Sequence, residues 1–477
     1  RDAERRVEGV HRVGGAEEVG EDALADEPDD AAQENPRADE KGSAPRATLP
    51  SVSFRVGDLT CNLIDTPGHP DFIAEVEREL GAGHACVISL IGTGESKTKE
   101  QIVRYLAARE GLAVAPRGSG TKTHIGDPPR RLDLIVSTAR MNEVLEHTPG
   151  DQIVRLEAGV KLEVLQKHIS GSDQMLAIDP PESGSTIGGI VAANSSGPRR
   201  YRYGTIRDLI IGITVVLHDG TVAKAGGKVV KNVAGYDLSK LFTGSLGTLG
   251  VIANANFRLH PRPGTARTVA VEVTEPQQAQ AAAQAIVHSQ VEATAVELHY
   301  GENEKLLAVL LESIPGGIDA KEETASFLLK QFGEVRTLSD EEADRLGPLT
   351  PPEVADEVVL KIGAPPVDLA AVLESVLGAA ERKGLAHPRI TGHAGTGVTL
   401  VGLSEETEDG AAGFVEEMRE IWVRRGGNVT LQRAPLTLKR RVSTWDNGGD
   451  YLGLIRRVKE KFDPRGGMNP GRFLGGN

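Results

Sequence analysis

The stretch LAVAPRGSGT, residues 112–121, joins an apolar run to a loop of small residues, and this junction decides the fold. The run has the length and composition of a buried strand, and the glycines follow it directly. Because glycine has no Cβ, the main-chain amides of such a loop can approach an anion closely. Many Gly-rich turns bind nothing, so the loop needs support from the rest of the chain.

A second loop of small residues lies roughly 65 positions further along, in PPESGSTIGGIVAANSSG at residues 180–197. It opens a short helix, and we expect the amides at the start of this helix to be free for a second contact with the same anion. Between the loops, residues 133–138 and 153–159 read as strands, each followed by a short helix. Further on, Asp219-Gly220 predicts the turn of a hairpin.

Three further stretches extend the pattern: YGTIRDLI at 203–210, GGKVVKNVAGYDLSKLFTGSLGTLGVI at 226–252 and KEKFDPRGGMNPGRFLGG at 459–476. With the two loops, in this order, they resemble the FAD-binding E subunits of bacterial glycolate oxidases, which belong to the vanillyl-alcohol-oxidase-type flavoprotein family. The resemblance covers about residues 96–477. It implies an α+β protein with a two-part FAD-binding domain at 93–264 and a C-terminal FAD-linked oxidase-type cap with an antiparallel sheet at 265–477.

The resemblance also implies the cofactor site. FAD would be bound without a covalent link, because Thr121 stands where some relatives attach flavin through a histidine, and His124 is expected to be a surface loop residue. From the residues themselves, Lys228 and Lys231 are expected to place positive charge near the flavin or its phosphates, and a solvated face at the end of a strand is the alternative. The residues expected to clasp the pyrophosphate are Arg117, Gly118, Ser119, Gly120, Thr121, Pro180, Gly184, Ser185, Thr186, Gly188, Gly189, Asn194 and Gly197. Those expected beside the flavin or adenine are Tyr203, Gly204, Gly247, Val251 and Ile252.

The C-terminal part alternates strands with helices, which predicts the cap. Related catalytic dehydrogenases for 2-hydroxy acids carry HxGDGNxH here, and its two histidines hold a substrate-binding metal. This chain has HAGTGVTL, in which His393 remains, Thr396 replaces the Asp and Leu400 replaces the second histidine. A lone histidine is a poor metal site, so we expect no metal. The sequence assigns no catalytic residue.

These departures favour a subunit that works in a complex. Its expected partners are a catalytic D-type flavoprotein subunit and an iron–sulfur subunit, and its expected substrate is glycolate or a similar small 2-hydroxy acid. Hydride would pass to the flavin and electrons would leave through it to the iron–sulfur partner. The expected location is the cytoplasm, with peripheral attachment at the inner face of the membrane through these partners. A non-catalytic assembly subunit remains an alternative.

The N-terminal part follows a different pattern. Residues 1–50 hold 14 Asp and Glu against 7 Lys and Arg, a charge of −7 that is half of the chain's −14, and residues 1–47 are predicted to be disordered. DTPGH, from Asp65 to His69, resembles the switch II segment of translational GTPases such as elongation factor G and ribosomal-protection tetracycline-resistance proteins. Since a GxxxxGK[ST] loop and an NKxD motif are both missing, residues 48–92 are interpreted as a fusion relic. A GTP-binding translation factor fragment is the competing hypothesis.

Composition excludes several other classes of protein. No apolar run reaches the eighteen or so residues that span a bilayer, so no transmembrane segment is expected. Only Cys61 and Cys86 are present, which is too few for a disulfide framework or a cysteine-bound iron–sulfur cluster. The net charge of −14 argues against nucleic acid as a partner, because phosphate binding needs a basic surface.

Overall fold

The computed structural model describes residues 51–56, 59–65, 85–91, 112–227, 236–302, 304–346, 358–403 and 408–476. For the first three ranges it gives the course of the strands alone. Within these residues the chain forms two five-stranded sheets, a two-stranded pair and one eight-stranded sheet. The α+β prediction is confirmed.

The first sheet carries the first glycine loop. Its strand order is β1-β2-β3-β5-β4, and β2, β3, β5 and β4 run parallel to one another, so the carboxyl ends of these four strands meet at one edge. β1 and β2 pair antiparallel, and the two strands predicted around Gly57-Asp58 are confirmed. The strands are β1 (Ser51–Val56), β2 (Leu59–Asp65), β3 (Ala85–Ile91), β4 (Val114–Arg117) and β5 (Leu134–Arg140). Residues after Asp65 in DTPGH, and the segment 92–111, lie outside the described residues.

The second sheet is antiparallel, in the order β10-β9-β11-β7-β6. A helix was expected after β5, but a strand follows it, because VLEHT pairs with β7 as the edge of this sheet. The hairpin predicted at Asp219-Gly220 is confirmed by β9 and β10. The strands are β6 (Val144–Thr148), β7 (Ile153–Glu157), β9 (Ile210–Val216), β10 (Val222–Gly226) and β11 (Val251–Arg258); β8 (Gln174–Met175) pairs with β12 (His260–Pro261).

Short helices cover this second sheet and complete its core. They bury large side chains such as Leu165 and Phe242 against Leu156 and Phe257 of the strands. Burial of apolar surface of this kind is the main favourable term in folding. The helices are α1 (Leu162–Ser170), α2 (Ile187–Ala193), α3 (Arg200–Tyr203), α4 (Ile206–Leu209) and α5 (Leu238–Phe242).

The cap is built on the eight-stranded antiparallel sheet, in the order β16-β13-β15-β14-β18-β19-β17-β20. The predicted antiparallel cap sheet is therefore confirmed. Its strands are β13 (Thr265–Glu272), β14 (Ala295–Tyr300), β15 (Lys305–Ser313), β16 (Val335–Leu338), β17 (Val358–Gly363), β18 (Arg389–His393), β19 (Val398–Leu403) and β20 (Asn428–Arg433). Its helices are α6 (Pro276–Val287), α7 (Ile318–Leu329), α8 (Asp340–Leu346), α9 (Leu369–Lys383), α10 (Glu408–Arg424) and α11 (Leu436–Arg441).

The two faces of the cap sheet differ in chemistry. One face packs on α6, α7, α9 and α10, where side chains such as Leu298, Leu360 and Trp422 are fully buried. Because side chains alternate along a strand, the neighbouring positions Glu297, His299 and Lys361 point to the opposite face. Helix α3 contacts β14, and the Tyr201 ring lies only 2.5 Å from where a Cβ on Gly395 would stand. The polar face of the cap therefore meets helix α3, which belongs to the part of the chain before residue 265.

The last helix, α12 (Leu452–Phe462), returns to the second sheet. Val458 and Phe462 pack on its core, and the Phe462 ring meets the Phe242 ring edge-on at 5.7 Å. The boundary at 264/265 stays a prediction, and the C-terminal residues contact the part before it. Among the described residues there is no helix with both the length and the apolar character needed to cross a membrane.

Candidate cofactor site and the cap face beside it

A cavity of about 330 Å³ opens between the first glycine loop, helix α2 and the turn before β11. It brings together eleven of the residues predicted from the sequence: Arg117, Gly118, Ser119, Gly120, Thr121, Thr186, Gly188, Gly189, Gly247, Val251 and Ile252. Its volume lies at the lower end of the range for ligand clefts. The two glycine loops therefore line one space.

The first loop offers main-chain donors to this space. Among the described residues, no acceptor is found for the amides of residues 118–121. Gly120 has a φ of +83°, a conformation that glycine adopts at little cost, and a Cβ there would stand 2.6 Å from Nε of Arg117. Free amides beside an arginine are the donor set expected for a phosphate oxygen.

The second loop behaves differently from the prediction. The amides at the start of α2 are already used: Ile187 N donates to Val160 O at 2.8 Å and Gly188 N to Ala158 O at 2.7 Å. The Gly189 amide donates to Oγ1 of Thr186, the residue that caps the helix, at 3.4 Å. The expectation of free amides here is therefore wrong, because two carbonyl groups and the Thr186 hydroxyl accept from them. Gly188 instead allows a close approach of α2 to Ala158, whose Cβ would be 2.7 Å from a Cβ at 188.

Side chains hold the two loops together. The hydroxyl oxygens of Thr121 and Ser185 are 3.0 Å apart, across 64 positions of sequence. Beside them the Lys122 ammonium forms an ion pair with Glu182, and Ser195 Oγ donates to the same carboxylate at 3.3 Å. Ser185 thus supports the cavity without lining it. Lys122, a lining residue, was missed because a single lysine after a turn has no sequence signature of its own.

Several predicted residues lie away from the cavity lining: Pro180, Gly184, Asn194, Gly197, Tyr203 and Gly204. Asn194 ends helix α2 with a φ of 48°, and Gly197 packs against the main chain of Asp179. The Tyr203 hydroxyl donates to Glu312 of the cap at 3.4 Å. These positions shape turns and the junction with the cap, and a cofactor contact for them remains a prediction.

The C-terminal segment contributes lining residues that sequence reasoning missed. Asn469 and Arg472 line the cavity, and Asn469 Nδ2 donates to Leu246 O, also in the lining, at 2.7 Å. The segment is tied to β4, since Val114 N donates to Gly467 O at 2.7 Å and Asn469 N to Val114 O at 2.8 Å. Both residues belong to the stretch at 459–476 that carries the resemblance, and this stretch is the signal that indicates them.

His124 lies in a turn, as expected of a loop residue, and it is partly buried there. Burial, together with Lys122, Arg433, Lys439 and Arg472 nearby, lowers the pKa of His124 to about 3. Its carbonyl oxygen accepts a hydrogen bond from Lys439 of the cap. The loop is therefore anchored to the cap at this point. Lys228 and Lys231 lie outside the described residues.

On the polar face of the cap, His393 is paired with Glu297. The two are opposite each other in the β14–β18 register, and Nδ1 of His393 lies 2.9 Å from Oε2 of Glu297. His393 is 5% exposed and Glu297 7%. Burial raises the pKa of Glu297, and the histidine beside it opposes that rise. His393 is therefore a satisfied, buried residue.

One row of residues crosses this face: His299, Thr391, Leu400, Lys361 and Thr430, each directly opposite the next in the strand register. Burial lowers the pKa of His299 to about 4 and that of Lys361 to about 8, the latter with the help of the charges of Arg200 and Lys122. The described residues contain no group of three or more His, Cys, Asp or Glu side chains that could hold a metal ion. The residues present therefore do not fit the metal of the HxGDGNxH relatives.

Two protein families match separate parts of the chain. The FAD binding domain family matches residues 95–226, and the C-terminal domain of FAD linked oxidases matches residues 354–473.

Curated relatives match over different lengths. The chain is similar to the glycolate oxidase subunit GlcD of Bacillus subtilis, 36% identical over 36% of this chain and 37% of that protein. It is also similar to the glycolate oxidase subunit GlcE of Escherichia coli, 32% identical over 37% of this chain and 49% of that protein. An uncharacterized FAD-linked oxidoreductase of Mycobacterium tuberculosis is 26% identical over 79% of this chain and 89% of that protein. The alignments with the glycolate oxidase subunits thus span half of those proteins or less.

Solved structures support the fold. The chain superposes on p-cresol methylhydroxylase with a TM-score of 0.63, over 81% of this chain and 88% of that one, at 15% identity. It superposes on alkyldihydroxyacetonephosphate synthase with a TM-score of 0.58, over 81% and 77%, at 17% identity. At such low identity these likenesses concern the architecture alone. The solved structures give the fold, and the two matched families give the domain composition. Together they identify a chain with the fold and the domain composition of an FAD-linked oxidoreductase.

Proposed function

We propose that this chain is the FAD-binding subunit of a complex that oxidises a small 2-hydroxy acid such as glycolate. The observation that carries the proposal is the cavity between the glycine loops, whose lining residue Lys122 also acts through its charge on Lys361 of the polar cap face. FAD supplies the hydride and electron chemistry when bound. The chain's own contribution is to bind the cofactor and the acid.

The residues around the cavity fit FAD. The free amides of residues 118–121 would donate to the pyrophosphate, and Arg117 and Lys122 would offset its charge. Apolar lining residues such as Leu132, Ile135 and Val251 would cover a ring system. Thr121 carries no nucleophile of the kind a histidine offers, which supports a non-covalent complex. Contacts of Gly247, Val251 and Ile252 with the flavin or adenine belong to the same proposal.

The similarity to two glycolate oxidase subunits supports the partners. We infer a D-type catalytic flavoprotein and an iron–sulfur protein as the other subunits, because this chain departs from the metal-binding motif of the catalytic relatives at Thr396 and Leu400. Electrons would leave this subunit for the iron–sulfur partner. The complex would reside in the cytoplasm, at the inner face of the membrane through its partners.

An absorbance spectrum of the purified full chain tests the cofactor. Oxidised flavin bands that move into the filtrate after acid precipitation are expected, since a covalent flavin would stay with the protein pellet. Co-purification with tagged D-type and iron–sulfur subunits tests the complex. A chain that takes up no FAD during reconstitution, and that binds no such partner, would contradict the proposal.

A further inference from the structure

We infer that the cap of this chain holds a carboxylate with Lys361 and Arg200 and without a metal ion. The inference rests on the proposed function, because it names the group of the acid that the cap would bind. It starts from a disagreement: the position where the catalytic relatives have a second metal-binding histidine is Leu400, and Leu400 stands directly opposite Lys361 on β17.

Lys361 faces the correct side of the sheet. Residues directly opposite each other in antiparallel strands point to the same face, so Lys361 shares the polar face with Leu400, Thr391 and His299. The opposite face, with Leu360 and Ile362, is buried against the cap helices. The ammonium group therefore has no place in the apolar core and lies on the side that meets helix α3.

Arg200 lies on helix α3, which packs against this side of the cap sheet. It is the first residue of α3, which contacts β14 and places Tyr201 against the turn at Gly395. The charges of Arg200 and Lys361 act on each other, and that repulsion adds to the cost of burying Lys361. An anion bound between two like charges would remove this repulsion.

Neither cation has an acceptor among the residues that the structure describes. Within the described part of the chain, no hydrogen bond or ion pair is found for the side chains of Lys361 and Arg200. The acids nearby are engaged: Glu297 accepts from His393, Glu182 pairs with Lys122, and Glu312 pairs with Arg199 at 2.6 Å. Glu297 and Asp208 do act on Arg200 through their charge, but without contact. An unpaired charge in a partly buried site is costly, and a bound carboxylate would remove that cost.

The test is calorimetric titration of the flavin-loaded full chain with oxalate and with acetate, in buffer that contains EDTA. We expect binding that EDTA does not alter, and at least a tenfold weaker affinity in Lys361→Met and in Arg200→Met. Lys224→Met, an exposed lysine on β10, is the matched control and should bind like the parent. Circular dichroism checks each variant, and Arg200→Lys, which keeps the charge, should retain most of the affinity if a variant to Met fails to fold.

Two results would overturn the inference. One is binding that disappears with EDTA in a protein that carries a stoichiometric metal by elemental analysis. The other is unchanged affinity in folded Lys361→Met and Arg200→Met. Failure of the proposed function gives a different result. A chain that takes up no FAD but still binds oxalate through Lys361 would keep the anion site and would contradict the flavoprotein assignment.

Discussion

The Lys459 ammonium lies 2.7 Å from Oδ2 of Asp463, and the same ammonium donates to the carbonyl oxygens of Thr248 and Met468, each at 2.7 Å. The Lys459 side chain is 9% exposed and that of Asp463 is fully buried. The Asp463 carboxylate also accepts from the amides of Gly467 and Met468. One buried ion pair thus connects the turn before β11 with the C-terminal segment, and both of these line the cavity.

Lys459→Met should therefore weaken both stability and FAD retention. Removing one partner of a buried ion pair leaves a charge without compensation and costs about 3–5 kcal/mol. Urea unfolding would measure the stability, and the flavin absorbance per chain would measure the retention. Lys461→Met, exposed on the same helix, is the control and should leave both unchanged. Full flavin content in Lys459→Met would mean that the C-terminal segment does not organise the cavity.

Gly118→Ala should empty the cofactor site while the protein stays folded. A Cβ at residue 118 would stand 2.0 Å from Oγ1 of Thr186, so the two loops must move apart. The flavin absorbance and the circular dichroism spectrum check the two parts of this expectation. Gly150→Ala has open space around it and serves as the control. Gly120→Val should have the same effect as Gly118→Ala, because its φ of +83° disfavours any side chain.

Deletion of residues 1–80 tests the interpretation of the N-terminal part. It removes β1 and β2, and β3 then becomes an open edge of the sheet, so we expect a lower unfolding temperature and some association. The cavity lining begins at Ala115, so the FAD content of each folded chain should persist. Micromolar binding of mant-GTP to the full chain would refute the relic interpretation and favour the GTP-binding alternative.

The sequence predicted most of the architecture because strand periods and glycine loops are local signals. It predicted the two loops that line the cavity. It also predicted both parts of the fold, the part with the glycine loops and the cap with its antiparallel sheet. It could not predict that the first amides of α2 donate to the carbonyl oxygens of Val160 and Ala158, because these acceptors lie in another part of the chain. Nor could it place Lys361 opposite Leu400, which depends on the register between strands separated by α9. Contacts of this kind exist only after the chain has folded.

Carboxylate binding should depend on pH through Lys361. Its pKa is lowered to about 8, so the ammonium form that binds an anion dominates below that pH and is lost above it. A bound anion stabilises the charged form, so the midpoint in the titration should lie at or above pH 8. Above the midpoint, the dissociation constant of oxalate should rise about tenfold per pH unit.

Other groups on this face need a control. Arg200, Lys122, His299, His393 and Glu297 are the other charged or titratable groups that face Lys361 on this side of the sheet. The pKa of His299 is lowered to about 4, so its titration lies below the range tested. Calorimetric titrations from pH 6 to pH 10 on the parent and on Lys361→Met separate the contributions. A steep rise above pH 8 that persists in Lys361→Met would assign the effect to another group.

The isolated chain should not oxidise 2-hydroxy acids by itself. A metal that grips the carboxylate and lowers the pKa of the substrate hydroxyl needs a second ligand, and Leu400 offers none. His393, the remaining histidine, is buried and hydrogen-bonded to Glu297. An acid held by Lys361 and Arg200 would then be bound but not activated, and loss of orientation toward the flavin can alone cost several kcal/mol.

Glycolate-dependent dye reduction by the flavin-loaded chain, compared with a complex reconstituted with the D-type and iron–sulfur subunits, measures this difference. We expect turnover in the complex and none above background in the isolated chain. Lys361→Met in the complex provides a second reading: if turnover takes place in the D-type subunit, this substitution should leave the KM for glycolate unchanged. Substantial rates from the isolated chain, abolished by Lys361→Met, would show that this subunit is itself the dehydrogenase and activates the hydroxyl without a metal.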